Sequence, residues 1–356
     1  MSNTQKRIPS LDGLRAVSIL IVLIGHLATC HRIPPKAERL ILLLFNAHVG
    51  VTIFFVISGF IITTLLLNEK FSENGIDVRM FYARRALRIL PACYLYILFI
   101  FVYTVLSGHW SRGYLFLHAL TFTLNFASGG VWTLGHLWSL GVEEQFYTFW
   151  PWVMRLRVRS IAGAAVLMIV LAPLVRLATH WHPAWGMITL RPFLARADSL
   201  MIGCLLAVGR RAFADRWEAL NWGKSPLRFL CVFIIWLVYY LGSIGKGGDL
   251  MILFGRTAQS ACIAYILAGS ITRTDGKLFR LLNHPLAVAL GTLSYSLYIW
   301  QQFFIYFPGS GAGRLGWSRE FPMDIVLIFA AAAASYYLWE RRFLKLKARF
   351  QPADPR

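Results

Sequence analysis

Charge is scarce in this chain, and acidic charge is scarcest. Only 15% of its 356 residues are charged, with 16 Asp and Glu against 36 Lys and Arg, while 57% are hydrophobic. A soluble domain carries about a quarter of its residues as charges. A water-soluble fold is therefore excluded, and the chain reads as an integral membrane protein. The five cysteines (Cys30, Cys93, Cys204, Cys231 and Cys262) are scattered, mostly within apolar runs, and form no C-x-x-C pair. That argues against a disulfide framework and a zinc site. Zinc-finger and helix-turn-helix spacings are also missing, so the formal charge of +20 does not imply nucleic acid. There is no internal repeat and no connection long enough for an extra soluble domain. Lys6 and Arg7 precede an apolar run with no small-residue cleavage site after it. An uncleaved anchor is expected.

Apolar runs are plentiful. Ten candidate spans lie at about 11–30, 45–67, 82–107, 141–157, 161–179, 196–209, 227–243, 254–272, 286–307 and 323–342. The expected fold class is all-α, a polytopic membrane protein with about ten transmembrane helices. The segment 114–126 is apolar but ends at a Gly-rich stretch, and reads as a half-helix or re-entrant piece. The basic residues sit in short clusters between spans. One set of alternate connections holds Lys70, Arg79, Arg84, Arg85 and Arg88, then Arg155, Arg157 and Arg159, then Arg210, Arg211, Arg216, Lys224 and Arg228, then Arg273, Lys277 and Arg280, with Arg341, Arg342, Lys345, Lys347 and Arg349 in the tail. The opposite set holds fewer. By the positive-inside rule both termini are cytoplasmic. Residues 1–349 are expected to form a single transmembrane domain, followed by a short cytoplasmic tail, 350–356.

Ionisable residues inside apolar runs are the candidate site. Arg15 and His26 share the first run, eleven residues apart. At about 100° per residue they lie on one helical face, roughly 16 Å apart along the axis. A snorkelling arginine and a histidine bonded within the bundle account for that pair too. Arg85 and Arg88 are i,i+3 neighbours at the same end, and two guanidiniums side by side suit phosphate. Arg84 reads as a positive-inside anchor. A ligand with a polyphosphate head and an extended thioester arm, such as acyl-coenzyme A, spans the distance from the arginines to His26. There the imidazole acts as general base or takes the acyl group transiently.

Glu143 and Glu144 enter the next apolar run, where they can orient an imidazolium, deprotonate a hydroxyl or pair with an arginine. Trp132, Trp138 and His136 read as an aromatic lip or belt at the far side. In the sixth run Arg196 and Asp198 lie two residues apart, hence on different faces, for pocket shaping or pairing across helices. Asp12 reads as the cap of the first helix. His180-x-His182 lacks a third metal ligand, so no metal site is expected. His31, His48, His109, His118 and His284 fall near span ends, where bland roles are commonest.

Taken in order, these motifs resemble the acyltransferase-3 family of bacterial membrane O-acyltransferases. The matching pieces are Leu11-Asp12-Gly13-Leu14-Arg15 with His26, Phe54-Phe55-Val56-Ile57-Ser58-Gly59-Phe60, Arg85-x-x-Arg88, Trp138-Ser139-Leu140-Gly141-Val142-Glu143-Glu144-Gln145-Phe146-Tyr147, Arg196-Ala197-Asp198-Ser199-Leu200 and Leu293-Ser294-Tyr295-Ser296-Leu297-Tyr298-Ile299-Trp300-Gln301. The resemblance implies a ten-helix acyltransferase domain in the bacterial inner membrane. It would use cytoplasmic acyl-CoA, most often acetyl-CoA, as co-substrate with no tightly bound cofactor, and modify a hydroxyl of a carbohydrate, a glycolipid or a related envelope or secreted acceptor. It places catalysis on His26 with Glu143 and Glu144, coenzyme binding on Arg15, Arg85 and Arg88, and the acceptor near Trp138, Arg196, Asp198 and Tyr295. Membrane lipids are partners; nucleic acid is not. Spacing does not decide which glutamate reaches the site. Where some members have a histidine after the Ser-Tyr-Ser-Leu-Tyr run, this chain has Gln301. Larger members carry a fused hydrolase-like domain that this sequence does not contain, so the acceptor is expected to reach the membrane by itself. The rival reading is a proton-coupled carrier or flippase, since Arg, His and Glu inside spans also build those. Two related halves with paired broken helices, the mark of such carriers, are not found.

Overall fold

The computed structural model describes residues 8–30, 41, 42, 44–108, 112–127, 129–182, 191–217, 219, 226–305, 318 and 320–350. Among these the regular structure is helical, with no strand. The main helices are α1 (Leu11–Cys30), α2 (Ala47–Lys70), α3 (Val78–Leu106), α4 (Tyr114–Leu120), α5 (Trp138–Val153), α6 (Val158–Trp181), α7 (Arg191–Ala212), α8 (Leu227–Ser243), α9 (Gly248–Thr272), α10 (Gly276–Leu282), α11 (Pro285–Phe304) and α12 (Met323–Lys347). Each of the ten expected runs coincides with a helix. Six of them, α1, α2, α3, α6, α9 and α12, are long and apolar enough to cross a membrane. The other four fall short of that length or apolarity. The protein is thus an all-α, multi-pass membrane protein. The segment 114–126 is the short helix α4 followed by a 3-10 turn, a half-helix as expected.

Local chemistry explains several boundaries. α3 begins at Val78 because the Asp77 carboxylate accepts from the backbone N–H groups of Arg79 and Met80, satisfying two donors that a helix start leaves without partners. Asn46 does the same for His48 at the head of α2. The imidazole of His284 caps α11 by accepting from Leu286. The capping role expected of Asp12 is corrected. α1 already starts at Leu11, so Asp12 sits in its first turn, where its carboxylate lies 3.9 Å from Arg15. His118 bonds to Thr123, whereas His31 and His109 lie outside the described residues.

In lipid no hydrophobic force drives one apolar helix onto another, so close approach depends on small residues and polar ties. Gly59 of α2 and Gly203 of α7 meet this need. A Cβ on Gly59 would strike the Leu200 carbonyl, and one on Gly203 would strike the carbonyl of Val56. α1 and α11 run parallel. Ser10 and Asn283 exchange two hydrogen bonds at one end (3.0 and 2.9 Å). His26 meets Gln301 at the other. α2 is antiparallel to α1, with the Ser18 hydroxyl donating to the Gly50 carbonyl at 2.6 Å.

Arg84, expected to be a simple anchor, is a buried ion-pair partner instead. It pairs with Glu69 of α2 and donates at 2.7 Å to the carbonyl of Phe350, tying α2, α3 and the turn after α12 together. Arg176 of α6 is the other buried anchor. It pairs with Asp198 of α7 at 2.8 Å and donates to the carbonyls of Ala195, Ile252 and Leu253 and to the hydroxyl of Thr257. Ile252 and Leu253 belong to a π turn in α9. Such a turn displaces carbonyls from the helical ladder and leaves them free to accept.

Candidate functional site

The three arginines singled out in the sequence converge. Arg15 of α1 with Arg85 and Arg88 of α3 lines a cavity of about 280 Å³, together with Glu143 of α5, Tyr295 of α11 and Lys347 at the end of α12. The N-terminal turns of α1 and α3 lie at the same end of the bundle, which brings the guanidiniums to one mouth. Arg85 is wedged between the rings of Phe81 and Tyr147, at 5.7 and 5.4 Å, which fixes its plane while its N–H fork stays available. Arg15 has Arg88 and Glu143 as electrostatic neighbours. Four cations thus line a cavity whose own wall holds one carboxylate, while Asp12, Glu144 and Glu340 act on Arg15, Arg85 and Arg88 from outside that wall. Lys347 was read from the sequence only as part of a basic tail. Nothing in its spacing signals a site, because the fold of α12 over α3 brings it there.

The two glutamates separate. Glu143 lines the cavity and has Ser58 as a hydrogen-bond partner. Glu144, about 100° further round the helix, is not among the lining residues, and one of its carboxylate oxygens is buried without a hydrogen-bond partner among the described residues. Tyr295 lines the same cavity as the arginines, and its hydroxyl donates to the Ile89 carbonyl at 2.8 Å. The inner wall is completed by Ser139 and Tyr298, whose hydroxyls lie 2.7 Å apart.

His26 stands past that inner wall. Gln301, one helical turn beyond Tyr298 on α11, meets its Nδ1 through Oε1 at 3.1 Å. With the amide oxygen facing the ring, the contact suits the tautomer that carries its proton on Nδ1 and keeps the lone pair on Nε2. The Trp132 ring packs edge-on at 5.5 Å, and its indole N–H donates to the Ile305 carbonyl. The imidazole therefore faces protein. Gln301 occupies the position where some family members have histidine, and this contact gives that departure its structural meaning. His136 does not form part of an aromatic lip. It is buried, bonded to Gln302 and to the Ile299 carbonyl, and packed against Tyr96 and Tyr298.

A second cavity of about 990 Å³ opens at the opposite end of the bundle, lined among others by Asn46, His48, Trp138, Arg196 and Arg256. The Arg196 guanidinium lies over the Trp138 indole at 4.7 Å. Asp198, on the other face of α7 as its spacing requires, is fully buried in its pair with Arg176. His180 also lines this cavity, and no metal-ligand cluster occurs among the described residues. The two cavities stand back to back. Val51 and Ser139 line the arginine cavity, whereas their chain neighbours Thr52 and Trp138 line the larger one. His26 lies beyond this junction, on the side of the larger cavity. Its neighbour Gly25 abuts the backbone of Phe45 and Ala47, and His26 is an electrostatic neighbour of His48.

Over 336 residues the chain is 31% identical to the "Putative peptidoglycan O-acetyltransferase YrhL" of Bacillus subtilis (strain 168), covering 82% of this chain and 48% of that protein. It is 26% identical over 328 residues to the peptidoglycan O-acetyltransferase OatA of Listeria monocytogenes serovar 1/2a, covering 83% of this chain and 49% of OatA. The chain thus spans about half the length of these relatives. No solved structure matches it. Residues 8–340 match the acyltransferase-3 family, described as an acyltransferase domain, and the chain belongs to that family.

Proposed function

We propose that the protein is an acyl-CoA-dependent O-acyltransferase that moves an acyl group, acetyl in the first instance, from cytoplasmic acyl-CoA to a hydroxyl of a carbohydrate or glycolipid. The observation that carries this reading is the convergence of Arg15, Arg85, Arg88 and Lys347 on one cavity with a single carboxylate among them. Four cations on the wall of one cavity at a membrane boundary suit a polyanion, and guanidinium forks match phosphate oxygens. The coenzyme's phosphates sit in that mouth, which faces the cytoplasm in line with the positive-inside bias. Its thioester arm then extends past Ser139 and Tyr298 towards His26, roughly 16 Å along α1 from Arg15.

Chemistry falls to the imidazole. With the Nδ1 proton engaged by Gln301, Nε2 takes the proton of the acceptor hydroxyl as the oxygen attacks the acyl carbonyl. The carbon–sulfur bond breaks, the thiolate leaves and the imidazolium returns the proton to sulfur, giving the ester and free coenzyme. Glu143 orients the guanidiniums, and Glu144 stands outside the cavity. The names of the relatives support a carbohydrate acceptor, since both are called peptidoglycan O-acetyltransferases. The test is consumption of acetyl-labelled acetyl-CoA by the purified protein. Wild type hydrolyses or transfers the label, and His26→Ala falls to background while remaining in the membrane. Full activity in that variant would remove the assignment. No consumption by wild type with any acceptor would favour a carrier.

A further inference from the structure

We propose that the larger cavity is an acceptor site for an anionic saccharide, whose carboxylate or phosphate is held by Arg196 and Arg256; the acyl-transfer reading is needed only for what happens to the sugar once bound. The cavity measures about 990 Å³, at the upper end of the roughly 300–1,000 Å³ usual for small-molecule sites. Asn46, Asn125 and Gln259 also line it, but their amides already bond to the His48 N–H, to Gln145 and to the Ile235 carbonyl, so the arginines are the donors a ligand would rely on.

Charge decides the class. Arg176, Arg196, Arg256 and Asp198 form one cluster, and among the described residues Asp198 is the sole carboxylate in it. That carboxylate is used twice, by Arg176 at 2.8 Å and by Thr257 at 2.7 Å. Arg176 itself donates to five different oxygens and is saturated. Arg196 and Arg256 differ. Among the described residues Arg256 makes one long hydrogen bond, 3.4 Å to the Ala195 carbonyl, and Arg196 is held by its cation–π contact with Trp138. A cation–π contact engages the charge without using up N–H groups, which stay available for a further partner. The cluster therefore carries two uncompensated charges with spare donors, in a setting where unpaired charge is costly. A neutral sugar leaves that cost in place. A sugar carrying a carboxylate or phosphate removes it through charge-assisted bonds.

Position supports the same assignment. Trp138, which carries Arg196, is the chain neighbour of Ser139 on the wall of the donor cavity, and His48 on the larger cavity is an electrostatic neighbour of His26. An anion held by Arg196 and Arg256 thus places a nearby sugar hydroxyl towards the imidazole.

The experiment measures equilibrium binding to the purified full chain, without donor, for a glucuronate-terminated disaccharide, its neutral glucose-terminated counterpart, glucose 1-phosphate and inorganic phosphate. At least one anionic sugar should bind tenfold or more tightly than the neutral disaccharide, and Arg256→Gln should bring that ratio close to one. The uronate and sugar-phosphate arms tell a carboxylate from a phosphate as the natural anion. Equal binding of neutral and anionic sugars, or inorganic phosphate binding as well as the sugar phosphate, overturns the proposal. Should Arg256→Gln not fold, the wild-type ratio and its decline with added salt decide alone. Acetyl-CoA turnover is measured on the same preparation. An anion preference without turnover refutes the transferase reading only, and turnover without the preference refutes this inference only.

Discussion

Replacing Arg88 with glutamine removes one of four cations from the donor cavity and leaves the cavity's volume nearly unchanged. Arg88 is half-buried beside Arg15 and Lys347, so neutralising it relieves like-charge repulsion and the fold should tolerate it. The loss falls on the ligand. A hydrogen bond to a charged partner is worth about 1.5–3 kcal/mol, which at 1.4 kcal/mol per tenfold is about 10- to 150-fold in affinity. The assay is steady-state transfer with two donors, acetyl-CoA and acetyl-pantetheine, which has the same thioester arm and no phosphates. KM for acetyl-CoA should rise by that factor with kcat little changed, because the lost contact lies in the arginine cavity, whose lining does not include His26. KM for acetyl-pantetheine should stay the same. The wild-type KM for acetyl-CoA should also rise with salt, and less so in the variant. An equal rise for both donors would refute the phosphate clamp, since the variant would then be disturbing the arm or the fold.

Three further outcomes are expected. Gln301→Leu removes the oxygen that holds the Nδ1 proton of His26, so kcat should fall about 10²- to 10⁴-fold, the usual span of a general-base contribution; an unchanged kcat would remove the imidazole–amide pair from the mechanism. Glu143→Gln should alter KM for acetyl-CoA through the guanidiniums beside it, whereas Glu144→Gln should leave that KM within twofold, and the reverse order in side-by-side kinetics would reassign the two. Arg84→Met strands the buried Glu69 carboxylate and should destabilise the protein by about 3–5 kcal/mol; a double variant with Glu69→Leu should recover most of that in denaturant titrations, and failure to recover would show that Arg84 acts through another partner.

Much of the fold was legible because its signals are local. Apolar runs mark α1, α2 and α3 directly, and the basic clusters between runs place Arg15 and Arg85-x-x-Arg88 at one end. Helical periodicity adds that Arg85 and Arg88 share a face, but that they meet Arg15 in one cavity is a property of the fold. What escaped were placements that depend on how distant helices cross. Glu143 and Glu144 are about 100° apart on one helix, so only the position of α5 against α2 and α3 could choose between them. Lys347 looked like topology because the sequence does not say that α12 folds back over α3. The partner of His26 lies 275 residues away, at Gln301. Arg256 and Arg176 were hidden for a related reason. Asp198 is compensated by a residue of α6 and not by its chain neighbour Arg196, and the π turn of α9 that completes the arrangement has no recognisable sequence signal.

The central claim is that donor and acceptor enter from opposite ends of the bundle and meet between α2 and α5. It is tested most directly in proteoliposomes with the protein inserted in one orientation, with labelled acetyl-CoA and a saccharide acceptor supplied on chosen sides. The account predicts labelled ester only when acetyl-CoA is on the side of Arg15, Arg85, Arg88 and Lys347 and the saccharide is on the side of Arg196 and Arg256. Ester formed only when both substrates share one side would contradict it.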